Sequence, residues 1–268
     1  MPPQHQSISA FRKFTVIVKK GSFIMSHLLN QYASNRHLIM PAIGEGMALR
    51  LLNRNQLVPI YLSATLATQT LLGETNQGLL TLSEYAKFLR DMRLTTNLPL
   101  IADLQSGFGN PLNTYYAAQE LERSGGDVLL LNDQHYPAHS EEQPATTNLA
   151  DLLGKLRAAR DATSEGTEIW VKLEGLWEYG PTDILNRMQA LTKAGADAII
   201  IDHWQADQLT TIAAQKRTIP LLATWTPSCQ MDAQIDAWLD TGLLIREAQR
   251  AQQEALAAFM GGIAYAQK

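Results

Sequence analysis

Carboxylates, amides, a lysine and histidines recur in this sequence at one kind of place, at or just past the ends of short apolar runs. Tyr61 and Ser63 stand at the end of one run, then Asp103 and Gln105, Asn132 and Asp133, Lys172 and Glu174, Asp202 and His203, and Thr224 at the ends of others. Gathered at one rim they would form a mixed-charge ring. Its ammonium would neutralise a developing anion, its carboxylates would hold a metal or a substrate hydroxyl, and its imidazoles would exchange protons near neutral pH. Lys172 and Glu174, two residues apart on one predicted strand, can pair for catalysis or for structure. His135 and His139 fall in a polar stretch, 135–147, with no strong period, which suits a loop closing over such a rim. The segment 102–111 places two glycines around Phe108, between a run and a predicted helix, where a sharp turn would aim free N–H groups at an anion.

The runs themselves predict the frame. They are Leu38–Ala42, Val58–Leu62, Leu98–Ala102, Asp127–Leu131, Glu168–Leu173, Asp197–Ile201, Ile219–Ala223 and a weak one at Leu243–Ile245. Short, nearly continuous apolar runs are the mark of parallel strands covered on both faces. Helical spacing lies between them: Ser83–Met92, Pro111–Arg123, Asn148–Arg160, Pro181–Lys193, Asp232–Leu239 and Glu247–Met260, the last extending towards Ala264. Thr81 or Ser83 and Asn110 stand at cap positions, and Gly125–Gly126 and Gly195 at helix ends. Strands alternating with helices at this length predict a (β/α)8 TIM barrel, an open doubly wound sheet being the competing architecture. The expected layout is a single domain, 1–268, with an N-terminal arm (1–37), an active-face lid (135–147) and a C-terminal helix (245–268).

Composition narrows the class. The 268 residues carry a net charge of −4, with 46% hydrophobic and 18% charged residues, so the chain can bury a large core and is not disordered. That charge argues against a nucleic-acid or anionic-membrane surface, and no apolar run approaches membrane length. The single cysteine, Cys229, excludes an internal disulfide and a multi-cysteine zinc site, and reads as a buried or incidental thiol. The polar start, Met1–Gln6, has no signal-like stretch after it, which predicts a cytoplasmic chain. Trp177, Trp204 and Trp225 fall near strand ends, where they could wall an apolar pocket.

Ile101-Ala102-Asp103-Leu104-Gln105-Ser106-Gly107-Phe108-Gly109-Asn110 resembles the Asp-x-Asp-x-Gly-(Tyr/Phe)-Gly-Asn signature of the isocitrate lyase/phosphoenolpyruvate mutase superfamily. Pro59–Ala64 looks like its second-strand Ser-Gly segment, Leu131–Gln134 like its Glu-Asp-(Gln/Lys) motif and Ala194–Ile199 like its sixth-strand motif. The likeness runs in order from about Ile39 to Thr226, nearer to the short phosphonopyruvate-handling and small lyase branches. It implies a barrel whose last helix is exchanged between subunits of a homo-dimer or tetramer. It also implies Mg2+ and C–C or P–C bond chemistry on a small 2-oxo or enol carboxylate, such as oxaloacetate or phosphonopyruvate, through an enolate. By the resemblance, Asp103 matches the first metal-shell carboxylate and Ser63 with Ala64 the groups that hold the substrate carboxylate. Tyr61, Gln105, Asn132, His203 and Thr224 complete the predicted substrate-binding set.

The departures carry equal weight. The family's second Asp is Gln105, its motif Glu is Asn132, and a further Asp is replaced by Asn76. Each exchange removes a negative charge, so any Mg2+ at Asp103 should be weak or absent. Lys172 stands where an arginine is usual, keeping the charge and losing the planar fork. The lid has neither the lyases' Lys-x-Cys-Gly-His nor the mutase Lys-x-Asn-Ser pattern, which leaves His135 or His139 to supply a proton. Two expectations follow: a rewired lyase or mutase built on Asp103, Lys172 and Glu174, or a barrel that has lost the chemistry and kept a ligand-binding or oligomeric role.

Overall fold

The computed structural model describes residues 27–32, 38–55, 59–139 and 145–266. The parallel strands are β1 (Ile39–Met40), β2 (Ala42–Ile43), β3 (Ile60–Leu62), β4 (Leu100–Gln105), β5 (Val128–Asn132), β6 (Glu168–Leu173), β7 (Ala198–Ile201), β8 (Leu221–Trp225) and β9 (Ala237–Asp240). They are ordered β1-β9-β8-β7-β6-β5-β4-β3-β2. β1 lies on β9 and β2 on β3, and the two are halves of one stretch that changes partner at Pro41. The sheet therefore closes into the expected α/β barrel.

Alternation along the strands divides the core into two layers. Met40, Tyr61, Ile101, Leu130, Trp170, Ile200, Leu222 and Leu239 point into the barrel. Leu62, Ala102, Leu131, Val171, Ile201, Ala223 and Trp238 meet the surrounding helices. The short helix α1 (His27–Asn30) adds Leu28 and Leu29 to the inner layer at the N-terminal face, and the Leu28 N–H donates to Glu168 Oε1 at 2.7 Å. Most of the predicted arm, 1–26 and 33–37, lies outside the described residues.

The other helices are α2 (Gly46–Asn55), α3 (Ala64–Leu72), α4 (Leu82–Arg93), α5 (Pro111–Arg123), α6 (Leu149–Ala162), α7 (Leu176–Lys193), α8 (Ala206–Ala213) and α9 (Leu243–Ala266). Their starts follow from local chemistry. Thr81 and Glu84 form a capping box, and Asn110 caps α5 ahead of Pro111, in the first turn. α7 begins earlier than Pro181 because a turn at 176–179 precedes the break at Gly180, whose φ is 71°.

One segment departs from the expectation. Asp232–Leu239 is not a helix; its end forms β9, the strand predicted at Leu243–Ile245. Ala237 and Leu239 face the barrel interior and Trp238 the helices, a period of two too short to stand out in sequence. Leu243 instead opens α9, its N–H meeting the Asp240 carboxylate at 3.0 and 3.1 Å. Beyond residue 249, α9 stands away from the barrel with Leu256, Phe259 and Met260 exposed. Among the described residues no helix is long and apolar enough to cross a membrane.

Candidate active site

The C-terminal ends of the strands surround a cavity of about 680 Å³. Tyr61, Ser63, Thr65, Gln77, His139, Lys172, Asp202, His203, Trp204 and Thr224 line it, as do Cys229 and Asp240. The ring predicted from strand ends is thus present, though not all of it reaches the open space. Asp103, Gln105, Asn132 and Glu174 are buried behind the lining, and Asn132 Oδ1 accepts from the Gln134 N–H at 3.2 Å. His135 is placed elsewhere: it is exposed and borders a separate hollow with Glu178, Tyr179 and Arg187. Of the three tryptophans, only Trp204 lines the cavity. Asn76 caps a single 3-10 turn through Gly78 N–H at 2.8 Å, and it is the next residue, Gln77, that reaches the cavity.

Lys172 is the electrostatic centre. It extends from β6 beside Glu174, with which it forms a close ion pair, and 3.6 Å from Asp202 Oδ2. Burial alone would discharge the ammonium, but the charges of Glu174, Asp202 and Asp103 outweigh that cost and hold its pKa well above the usual lysine value. Burial would likewise push the Glu174 carboxyl up, yet Lys172 and His139 drive it far below the carboxylate range. Each charge thus sustains the other.

Glu174 has three partners. Besides Lys172 it accepts from Gln134 Nε2 and, at 2.7 Å, from His139 Nε2. Gln134 also receives the His139 backbone N–H at 2.8 Å, which secures a residue whose φ is +53°. The neck of the loop is closed by Thr147 N–H to Asp133 O at 2.7 Å and His135 N–H to Ala145 O at 2.9 Å. Residues 140–144 of the predicted lid lie outside the described residues. Asp133 is fully buried under this neck. Burial, then the charge of Glu174, push its pKa up to about 7 against donors at the Glu174 and Gly175 amides.

Asp103 is engaged on all sides. Its Oδ2 accepts from Tyr61 OH at 2.7 Å and Ala64 N–H at 2.9 Å, and its Oδ1 from Gln105 N–H at 2.9 Å. Burial and the Asp103 charge push the Tyr61 phenol well above its ordinary pKa, so it remains a donor. Ala64, expected to offer its amide to a substrate, gives it to Asp103 instead.

These arrangements decide whether the residues fit Mg2+. A hard dication needs several oxygens with free lone pairs in near-octahedral order. Asp103 already accepts three hydrogen bonds, Glu174 is shared among Lys172, Gln134 and His139, and a buried ammonium sits amid the carboxylates. No group of three or more His, Cys, Asp or Glu among the described residues can hold a metal ion. The set does not fit Mg2+.

Sequence reasoning overlooked four contributors. Thr65 and Gln77 sit on unremarkable polar stretches, Gln134 was read only as part of a motif, and Asp240 was hidden by the misplaced strand.

The chain matches the Phosphoenolpyruvate phosphomutase family over residues 30–243. It is 34% identical over 161 residues to an oxaloacetate decarboxylase of Rhodopseudomonas palustris (strain BisA53), covering 59% of this chain and 55% of that protein. It is 27% identical over 178 residues to a phosphonopyruvate hydrolase of Variovorax sp. (strain Pal2), covering 63% and 61%. The matched region thus spans little more than half the length of these relatives. Among solved structures, a phosphonopyruvate hydrolase in complex with oxalate and Mg2+ superposes with a TM-score of 0.78 at 22% identity, over 88% of this chain and 87% of that one. A 2,3-dimethylmalate lyase of the PEP mutase/isocitrate lyase superfamily gives 0.78 at 17%, over 87% and 83%. Those two likenesses carry the fold, while the sequence match carries the kinship: this chain belongs to the phosphoenolpyruvate phosphomutase family.

Proposed function

We propose that this protein cleaves the bond β to the carbonyl of a small 2-oxo carboxylate, with the Lys172 ammonium in place of a divalent cation. Oxaloacetate and phosphonopyruvate, the substrates named for its relatives, define the class. The observation that carries the reading is a charged lysine, 9% exposed at its side chain, on the wall of a cavity that also presents Ser63, Thr224 and His203. With oxaloacetate, the C3–C4 bond breaks and carbon dioxide leaves. The electron pair becomes the C2–C3 double bond of an enolate, whose charge falls on the C2 oxygen. A fixed cation beside that oxygen lowers the barrier because it needs no reorganisation as the charge develops. Protonation at C3 then gives pyruvate. Asp202 and Glu174 keep the ammonium charged and in place, and the Ser63 hydroxyl with the Thr65 amide at the start of α3 would receive the substrate carboxylate.

The test is pyruvate release from oxaloacetate, with phosphonopyruvate in parallel, by wild type and Lys172→Met. Release above background that disappears in the variant supports the reading. Release that survives in a folded Lys172→Met protein refutes it.

A second reading has its own support. Asp103 and Ala64, two parts expected to meet metal and substrate, are bonded to each other. A barrel retaining only ligand binding would look like this, and would bind oxalate while turning over neither substrate. The exposed apolar side chains of α9 fit a helix exchanged with a second copy, giving a homo-dimer or tetramer; sedimentation of Phe259→Glu checks this, with loss of the assembly expected.

A further inference from the structure

Three threonines face different fates on α3. Thr68 donates to the Ala64 carbonyl at 2.8 Å and Thr70 to the Leu66 carbonyl at 3.0 Å, the ordinary back-bonding of a helical threonine. Thr65 sits one turn earlier, just inside the Ser63 cap, and its hydroxyl lines the cavity. It is held there by two side chains. Gln77 Nε2 donates to its Oγ1 at 2.7 Å, and His139 Nδ1 lies 3.3 Å from the same oxygen. Across the imidazole, Nε2 meets Glu174 Oε2 at 2.7 Å.

The donors and acceptors order this chain. An amide nitrogen only donates, so the one hydrogen of Thr65 is left for His139. An ionised carboxylate only accepts, so Nε2 carries the imidazole proton and Nδ1 of the neutral ring accepts from Thr65. A nucleophile-like hydroxyl, a base within reach and a carboxylate orienting that base form the arrangement by which enzymes move protons at a reacting centre.

We propose that Thr65 is the proton donor at this mouth, recharged by His139, with Glu174 and Gln77 as positioning residues. The proposal rests on the enolate reading above and supplies its missing proton. Thr65 Oγ1–H is transferred to C3 of the enolate as the C2–C3 π pair becomes the C3–H bond. Oγ1 takes the Nδ1 proton of His139, which water has protonated before this step, and His139 ends neutral, as in the resting arrangement, with Nε2–H still on Glu174. Run backwards, the same relay removes a methyl proton from pyruvate, so the enzyme exchanges that methyl with solvent.

Pyruvate in D2O, followed by proton NMR, reads the relay. Calorimetric titration with oxalate, an enolate mimic, reports separately on the cavity. Thr65→Val should lose methyl deuteration by about 100-fold or more, the scale of a lost general acid. It should still bind oxalate, at most about tenfold more weakly than wild type, because one neutral hydroxyl is lost and no charge changes. Thr65→Ser should stay within about fivefold of wild type, since the hydroxyl is kept. Deuteration by Thr65→Val at the wild-type rate, in a protein that releases pyruvate from oxaloacetate, overturns the relay and leaves the enolate reading standing. Wild type that neither deuterates pyruvate nor releases it from oxaloacetate overturns both.

Discussion

The two ends of this barrel are built on opposite principles. At the N-terminal end, three arginine–aspartate staples repeat around the ring. Arg93, Arg160 and Arg217 pair with Asp127, Asp197 and Asp236, each aspartate just ahead of a strand. The same aspartates accept the backbone N–H of the neighbouring strand, from Leu100 at 2.8 Å, Ile169 at 2.7 Å and Leu221 at 2.8 Å. The arginines donate in turn to loop carbonyls, including Gly125 at 2.7 Å and Gly195 at 2.9 Å. Charge there is spent on locking β4 to β5, β6 to β7 and β8 to β9.

At the C-terminal end the charges converge instead of pairing off locally. Lys172 serves Glu174 and Asp202, and Glu174 also serves Gln134 and His139. Gln105, Phe108, His139 and His203 all hold positive φ without being glycine, a conformation that costs roughly 1–3 kcal/mol each. The Gln105 side chain is buried with neither amide atom hydrogen-bonded. Local strain and shared partners mark the end that holds the cavity, and repeated local ion pairs the end that ties the strands together.

The contrast predicts how variants divide. The largest effect is expected at Lys172. Lys172→Met should lower pyruvate release by about 100- to 1000-fold, and should cost roughly 3–5 kcal/mol of stability by stranding buried carboxylates. Lys172→Met combined with Glu174→Gln should recover much of the stability and none of the activity, as read by urea unfolding beside the kinetic assay. At the other end, Asp197→Asn should cost roughly 1–3 kcal/mol and leave kcat/KM unchanged. A kinetic loss there would erase the division between the two ends.

Asp133 gives a pH-dependent member of the series. Its pKa rises from 3.8 to about 7 on folding, so between those values the folded state holds more protons than the unfolded state. Stability from this group is fully present below about pH 4 and declines as pH rises through 7, by up to roughly 4 kcal/mol. Wild type should therefore lose stability relative to Asp133→Asn from pH 4 to pH 7, and a difference that does not vary with pH would refute the shift. The smallest effect is expected at Gln105, where Gln105→Met removes two unsatisfied polar atoms and should be neutral or stabilising by about 1 kcal/mol in thermal melts.

Much of the frame was legible in the sequence because parallel strands buried on both faces announce themselves as apolar runs. Reading the ends of those runs singled out Lys172, Asp202, His203 and Thr224, all of which line the cavity. β9 was misread because Ala-Trp-Leu-Asp is too brief to show a period, and Asp240 was lost with it. The contact between His139 and Glu174, 35 residues apart, depends on a loop path and a left-handed backbone that no local pattern encodes. Thr65 was invisible for a related reason: a threonine in the first turn of a helix reads as local capping chemistry until a distant histidine and glutamine are found against it.

The central claim, that Lys172 replaces a divalent cation, is tested most directly by oxaloacetate turnover in excess chelator and in millimolar Mg2+, each corrected for the protein-free rate. Equal rates in the two conditions, abolished in Lys172→Met, are the predicted result. Turnover that vanishes with chelator and returns with Mg2+ would contradict it.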